Sequence, residues 1–378
     1  MNYDLNTEQK MLKDSARKFF SKEADSIFIR EMAKDEKGYS KAIWKKMAKL
    51  DWMGILIPEE YEGSEMGLLD MVVLLNEMGY ACFTGPFVPT AVLGVTTLLE
   101  GADDKQKKSI LPKIALGKKI VTLAWTEESG QYTSKGVNAK AEVKDDSYVI
   151  SGTKLYVPDA NNADIIICAA RTDSSSENSE DGISLFIVDA QNDGLNVEVL
   201  KTIQGDKLCE VSLNNVKVPK ENLVGEEGKG WDILKKVLLK AAVAKSAEMI
   251  GGGRKVLEMT VDYAKQRNQF GQPIGSFQAI QHHCADMLTY LETSEYMTYQ
   301  AAWLISEGLS YEKEASMAKA WVSDSYHKLV ALGHQVIGGV GFMEEFDIQL
   351  YLRQSKTAEL AFGDADFHRE LVAQELGL

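Results

Sequence analysis

Between Arg267 and Gln281 the chain places a cation, an aromatic ring and several amides in one stretch, punctuated by Gly271, Pro273 and Gly275. Arg267 closes a helical pattern carried by Leu257, Met259, Val261 and Ala264, and a second pattern begins at Phe277, so Arg267 and Gln278 flank one turn. A planar guanidinium suits bidentate contact with phosphate oxygens, and the Phe270 ring offers a flat apolar face. The chemistry these residues suit is the binding of a large, anionic, diphosphate-bearing aromatic cofactor. Taken alone, the segment reads equally well as an ordinary helix–helix connection with an exposed arginine, because short motifs discriminate weakly.

A second segment, Gln335 to Phe342, sets Gly338, Gly339 and Gly341 after an apolar helical run, where a backbone could approach a ligand closely. A helix C-cap is the alternative reading of these glycines. Together the two segments resemble the acyl-CoA dehydrogenase family, whose Arg-x-x-Phe-Gly, Phe/His-Gln and Gln-x-x-Gly-Gly-x-Gly elements bind FAD. The order and separation of the elements match, and the similarity runs from about residue 5 to the C-terminus. The resemblance implies an FAD site containing Arg267, Phe270, Gln278, Gln335, Gly338 and Gly339, with the glycine segment contributed by an adjacent subunit.

Enzymes of that family remove the α-proton of an acyl-CoA with a carboxylate while hydride leaves the β-carbon for the flavin. Such a base needs a dry pocket that raises its pKa, and the enolate must be stabilised as it forms. The resemblance puts the usual catalytic Glu at Phe362, within Ala361-Phe362-Gly363-Asp364, and the alternative base position near Ala241. Neither can take a proton. Asp364 is the nearest titratable side chain, and an N-cap for the helix that follows is the competing reading for it. The family also holds the thioester carbonyl with the backbone N–H of the residue at the Glu position, and Phe362 can supply that donor whatever its side chain.

The middle of the chain departs from the family pattern too. Thr126, in Leu123–Glu127, corresponds to a flavin-contacting Thr, with Trp125 against the ring or in the core. Tyr156 stands where a Trp packs on the flavin, and Pro158 replaces a Thr, removing both its hydroxyl and its N–H. Ser129–Thr133 replaces the usual CoA-contacting Gly-Ser-Asp. His282 and His283 are adjacent, so they point to different sides of a helix, and no metal site is expected. The absence of GxGxxG, P-loop and G-x-S-x-G elements disfavours a nicotinamide Rossmann domain, an NTPase and an α/β-hydrolase.

These residues must be positioned by long helices and short strands. Helical patterns dominate to about residue 118, opening with a capping-box-like Asn6 and Gln9 and breaking at 57–63, 85–89 and 101–104. From Ile120 the texture turns to β-rich runs at 120–124, 147–150, 164–170, 184–188 and 195–199. The polar run Asp173–Asp181 reads as a solvated hairpin loop. Helical patterns resume over 231–266 and 312–333, the first interrupted by Gly251–Gly253, which would let a neighbouring helix pack close. The expected fold is mainly α with a central β domain: an N-terminal α-helical domain (1–119), a middle β barrel (120–226) and a C-terminal helical bundle (227–378). In the family this architecture assembles as a dimer of dimers.

The 378 residues are ample for a large core, and the net charge of −14 argues against nucleic acid or an anionic membrane as the main partner. Cys82, Cys168, Cys209 and Cys284 are too widely spaced for a disulfide framework or zinc. With neither a signal peptide nor a transmembrane run evident, a cytoplasmic location is the expectation. The resemblance implies an FAD-dependent acyl-CoA dehydrogenase that passes electrons to an electron-transferring flavoprotein. Without the Glu, it is either a homomer with an unusual base or one subunit of a heteromer whose homologous partner supplies the carboxylate. A catalytically silent structural or regulatory subunit and a flavin monooxygenase-type variant on the same scaffold are the alternatives.

Overall fold

The computed structural model describes residues 4–173 and 179–378, so the middle of the expected polar hairpin loop lies outside the described residues. Along the chain come six helices, a β-rich stretch and five more helices. The first six are α1 (Thr7–Glu23), α2 (Ser26–Lys34), α3 (Lys41–Lys49), α4 (Leu68–Tyr80), α5 (Val95–Gly101) and α6 (Asp104–Ala115). The last five are α7 (Gly230–Gln266), α8 (Gln278–Ser306), α9 (Glu312–Ile337), α10 (Ile348–Leu360) and α11 (Ala365–Glu375). The chain forms two compact units: one gathers Met1–Glu31, Gly67–Phe83 and Ala242–Leu378, the other Met32–Met66 and Thr84–Ala241.

In the first unit, α1 opens with a reciprocal capping box: the Gln9 N–H donates to Asn6 Oδ1 at 2.8 Å, and the Asn6 N–H to Gln9 Oε1 at 3.0 Å. Glycines set how closely α4 and α7 approach. A Cβ on Gly79 would fall 1.9 Å from the Glu248 carbonyl oxygen, and one on Gly251 would fall 1.8 Å from that of Asn76. The glycine run inside α7 therefore trades helix propensity for helix contact. On α9 the buried stripe Ala315, Ala318, Val322, Leu329 and Val330 is interrupted by one lysine, Lys319, itself fully buried.

The second unit is built on an eight-stranded sheet: β1 (Val121–Ala124), β2 (Lys140–Lys144), β3 (Ser147–Pro158), β4 (Ile165–Arg171), β5 (Ile183–Asp189), β6 (Leu195–Val199), β7 (Leu208–Pro219) and β8 (Leu223–Val224). Its order is β6-β7-β3-β2-β4-β5-β8, with β1 pairing in parallel with β4. The centres of β4 and β5, Ile166–Ala170 and Leu185–Val188, are buried apolar runs and form its core. Strand β3 pairs with β7 through two register breaks, one of them between Lys154 and Val157. That irregularity carries Tyr156 out of the ladder.

Three strands of this sheet, β2, β7 and the two-residue β8, go beyond the five β runs read from the sequence. In β7 buried Cys209, Val211 and Leu213 alternate with Glu210 and Ser212, and β2 has only Ala141 buried. The expected break at 85–89 is partly helical, since Val88–Gly94 is wound and runs into α5. Pro89 is tolerated there because it lies in the first turn, where its N–H would have no helical partner. No helix among the described residues is long and apolar enough to cross a membrane.

Candidate functional site

The turn after α7 is a small hairpin. Strands β9 (Asn268–Gln269) and β10 (Gln272–Pro273) pair antiparallel, and Phe270 and Gly271 form the two-residue loop with φ of +54° and +81°. Both loop residues lie in the left-handed region, as the tightest hairpins require. Gly271 adopts it freely, whereas Phe270 does so at a cost of about 1–3 kcal/mol. The Ile274 N–H donates to the Arg267 carbonyl at 2.8 Å and closes the base of the hairpin. Phe270 is 91% exposed, touching Phe277 edge-on at 6.0 Å between centroids. Arg267 and Gln278 are also exposed, and Arg267 forms no ion pair among the described residues.

At the end of α9 the three glycines have three different reasons. Gly338 caps the helix at φ +74°, its N–H donating to the His334 carbonyl. Gly341 is favoured by packing, since a Cβ there would lie 3.1 Å from His334 Nδ1, tight enough that the imidazole would have to shift. Gly339 is required by neither: its φ is not positive, and a Cβ would meet nothing within 4 Å. Nothing among the described residues needs that residue small, so the open space beside it suits a molecule approaching the backbone from outside. Gln335 is exposed one turn before.

In the β unit, Thr126 and Tyr156 are set by one pair of contacts. The Leu155 N–H donates to the Thr126 carbonyl at 2.9 Å, and Lys154 Nζ donates to Glu127 Oε1 at 2.6 Å. Glu127 also accepts the N–H of Ala139 at 2.9 Å and that of Asn138 at 3.0 Å. The pair is buried, with Lys154 at 0% exposure. Tyr156 is half exposed at φ +56°. Pro158 cannot donate, but its carbonyl accepts from Thr122 Oγ1 at 2.6 Å. Trp125 is a core residue, packed near Tyr132.

The third strained aromatic is Phe362, at φ +59° in the turn between α10 and α11, followed by Gly363 at +102°. Among the described residues, Tyr156, Phe270 and Phe362 are the only aromatics in the left-handed region, and each stands at a site residue expected from the sequence. Sequence reasoning missed the groups that hold this turn. Lys319 Nζ donates to the carbonyls of Gly363 at 2.8 Å and Glu359 at 3.0 Å and to Ser323 Oγ at 3.1 Å. His368 Nε2 lies 2.9 Å from the Phe362 carbonyl, which can only accept, so Nε2 carries the proton. Burial pulls the Lys319 ammonium down to about 7, helped by Lys245 and opposed by Asp364 and Glu359. Burial, and then Lys319, pull His368 down to about 4, leaving it neutral near pH 7. The Phe362 N–H makes no hydrogen bond among the described residues.

The carboxylates around this turn are engaged. Asp364 caps α11, its Oδ1 accepting from the Phe367 N–H at 2.8 Å. Glu359 lies 3.3 Å from Lys356 and Asp366 lies 2.6 Å from Arg369. In the other unit Ala241 is fully buried, and the neighbouring Lys240 is paired with Glu100. His282 and His283 lie near the start of α8, and no group of His, Cys, Asp or Glu that could hold a metal occurs among the described residues.

Each unit thus carries features that fit an aromatic diphosphate cofactor. The helical unit offers a free guanidinium beside a strained, exposed ring and a glycine with open space; the β unit offers an exposed ring on a stapled bulge.

Comparison with known proteins gives three consecutive matches: the acyl-CoA dehydrogenase N-terminal domain over residues 6–118, the middle domain over 122–216 and the C-terminal domain over 228–377. The chain is 32% identical to a probable acyl-CoA dehydrogenase, YngJ, of Bacillus subtilis, over all of both chains. It is 30% identical to the caffeyl-CoA reductase-Etf complex subunit CarC of Acetobacterium woodii, over 97% of each. Among solved structures it is similar to PigA with FAD and proline, with a TM-score of 0.92 and 25% identity over the full length of both.

Proposed function

The chain belongs to the acyl-CoA dehydrogenase family, and from that premise we propose that it is a subunit of an FAD-dependent oxidoreductase acting on the Cα–Cβ bond of an acyl-CoA thioester, with the proton-transferring carboxylate supplied by a homologous partner subunit. FAD, when bound, supplies the two-electron chemistry, in the dehydrogenase or the reductase direction. An electron-transferring flavoprotein is the proposed redox partner, by likeness to the Etf-complex relative. The three-domain division at 119 and 226 and assembly as a dimer of dimers belong to the same proposal.

The observation that carries this reading is the turn at Phe362. It keeps a strained left-handed backbone and a free N–H, although the side chain there cannot act as a base. Such strain persists only where the surroundings over-determine it, and it clusters at functional sites. In the proposed mechanism the Phe362 N–H donates to the thioester carbonyl, stabilising the enolate oxygen as charge develops. Arg267 holds phosphate oxygens of the cofactor, Phe270 and Tyr156 present flat faces to its rings, and Thr126 offers a hydroxyl. Gln278, Gln335, Gly338 and Gly339 complete the binding set, the glycines by allowing close approach. Asp364 remains a helix cap, and Ala241 carries no group that could accept a proton.

Solvent exchange of the substrate α-proton tests this. With FAD and a saturated acyl-CoA in deuterated buffer under anaerobic conditions, the chain alone should leave the α-protons unexchanged, and adding a homologous subunit with the family Glu should start exchange. Full exchange by the chain alone would contradict the partner-base reading. If Asp364→Asn then abolished that exchange, the base would be Asp364.

A further inference from the structure

Lys319 is wholly buried on α9, yet it forms no ion pair among the described residues. A cation in that position loses its hydration without gaining a counter-charge, and a methionine would fill the same volume without that penalty. What the ammonium gains is three oxygens, two of them backbone carbonyls on either side of Phe362: Glu359 at the end of α10 and Gly363 just before α11. His368 takes the carbonyl of Phe362 itself. Three carbonyls of the segment 359–363 are thus held from within the fold, and the Phe362 N–H is left without a partner among the described residues. Phe362, a non-glycine residue at positive φ, is in an unfavourable local conformation, so the turn needs external hold to keep one direction for its donor.

We propose that Lys319 is a positioning residue of the carbonyl-binding turn: by holding the Glu359 and Gly363 carbonyls, its ammonium fixes the direction in which the Phe362 N–H is presented to the thioester carbonyl. This rests on the reading above, in which that N–H is the substrate's hydrogen-bond donor. Lys319 does not touch the substrate. Its effect should appear in how strongly the carbonyl is polarised, more than in whether the ligand binds.

The test uses the full chain, loaded with FAD in its assembly, and an aryl-acryloyl-CoA thioester as a chromophoric probe. The absorption band of such a conjugated thioester moves to longer wavelength when its carbonyl accepts a hydrogen bond. The wild-type protein should shift the band. Lys319→Met should bind the probe within about threefold of the wild type yet lose the shift. Lys328→Met, an exposed lysine on the same helix, should change neither readout. If Lys319→Met does not fold, Lys319→Gln, which keeps a donor without the charge, should show a reduced shift. A full shift in either Lys319 variant would overturn the proposal. A wild-type protein that binds FAD and probe without any shift would overturn the reading of the turn itself, a result distinct from failure of the lysine's role alone.

Discussion

Lys154 in the β unit and Lys319 in the helical unit are both fully buried, and each sits beside an aromatic residue held in left-handed backbone. Lys154 meets an ionised partner, Glu127, which is further satisfied by two backbone N–H groups. Lys319 meets only carbonyl and hydroxyl oxygens. The first arrangement is a staple: the opposite charges compensate each other, and the bulge carrying Tyr156 is fixed to the strand end carrying Thr126. The second is conditional, because burial without a counter-charge draws the ammonium down to about 7, and the neutral amine has one fewer proton to donate. In the proposed roles, the cofactor platform is permanently rigid, whereas the turn assigned to the substrate carbonyl is held by a group near its own titration point.

The largest break in this comparison should come from Lys154→Met, which leaves the Glu127 carboxylate buried and short of a cation. A loss of about 3–5 kcal/mol is expected, read as a lower urea midpoint. Combining Lys154→Met with Glu127→Gln should recover part of it, because no orphaned charge remains and the amide oxygen can still accept a backbone N–H. Lys319→Met should cost less, about 1–2 kcal/mol, since it strands no carboxylate.

The sign of the pH dependence separates the two sites further. Lys319 is depressed to about 7 in the folded chain against 10.5 for an ordinary lysine, so between these the unfolded chain holds a proton that the folded chain has released. Its contribution to stability therefore rises with pH across that window and is lost as pH falls towards 7. The groups facing it, Lys245, Asp364, Glu359 and His368, are common to wild type and variant. Urea midpoints at pH 7 and pH 10 should therefore diverge between wild type and Lys319→Met, with the wild type gaining more on raising the pH. Equal slopes would show that Lys319 does not titrate there. The smallest effect belongs to the exposed Phe270 of the hairpin. Phe270→Gly should stabilise the FAD-free protein by up to about 1 kcal/mol through relief of its positive φ, while weakening retention of FAD in gel filtration.

Much of this was legible in the residues. Asn6 and Gln9 announced the first helix, Phe277 the start of α8, and the glycine and arginine motifs the family. The alternation in β7 was harder to see because Asn214, Asn215 and Lys217 interrupt it on the way to Pro219, and β2 offers one buried apolar side chain. Lys319 had a readable signal, a lysine set at helical spacing within the apolar stripe of Ala315 and Val322. Its role depends on carbonyls 40 and 44 residues away, and no local pattern encodes them. The hairpin strain at Phe270 was equally hidden, because a phenylalanine before a glycine does not by itself announce positive φ.

In the proposed mechanism the Phe362 turn retains the carbonyl-binding backbone and lacks only the base. Phe362→Glu tests it most directly, since it adds a carboxylate to the existing left-handed position. In the FAD-loaded protein, exchange of acyl-CoA α-protons with deuterated solvent should rise at least about 100-fold over the wild type, the usual contribution of a positioned general base. Wild-type protein already exchanging at the variant's rate, or a folded, FAD-loaded variant that gains nothing, would contradict the claim.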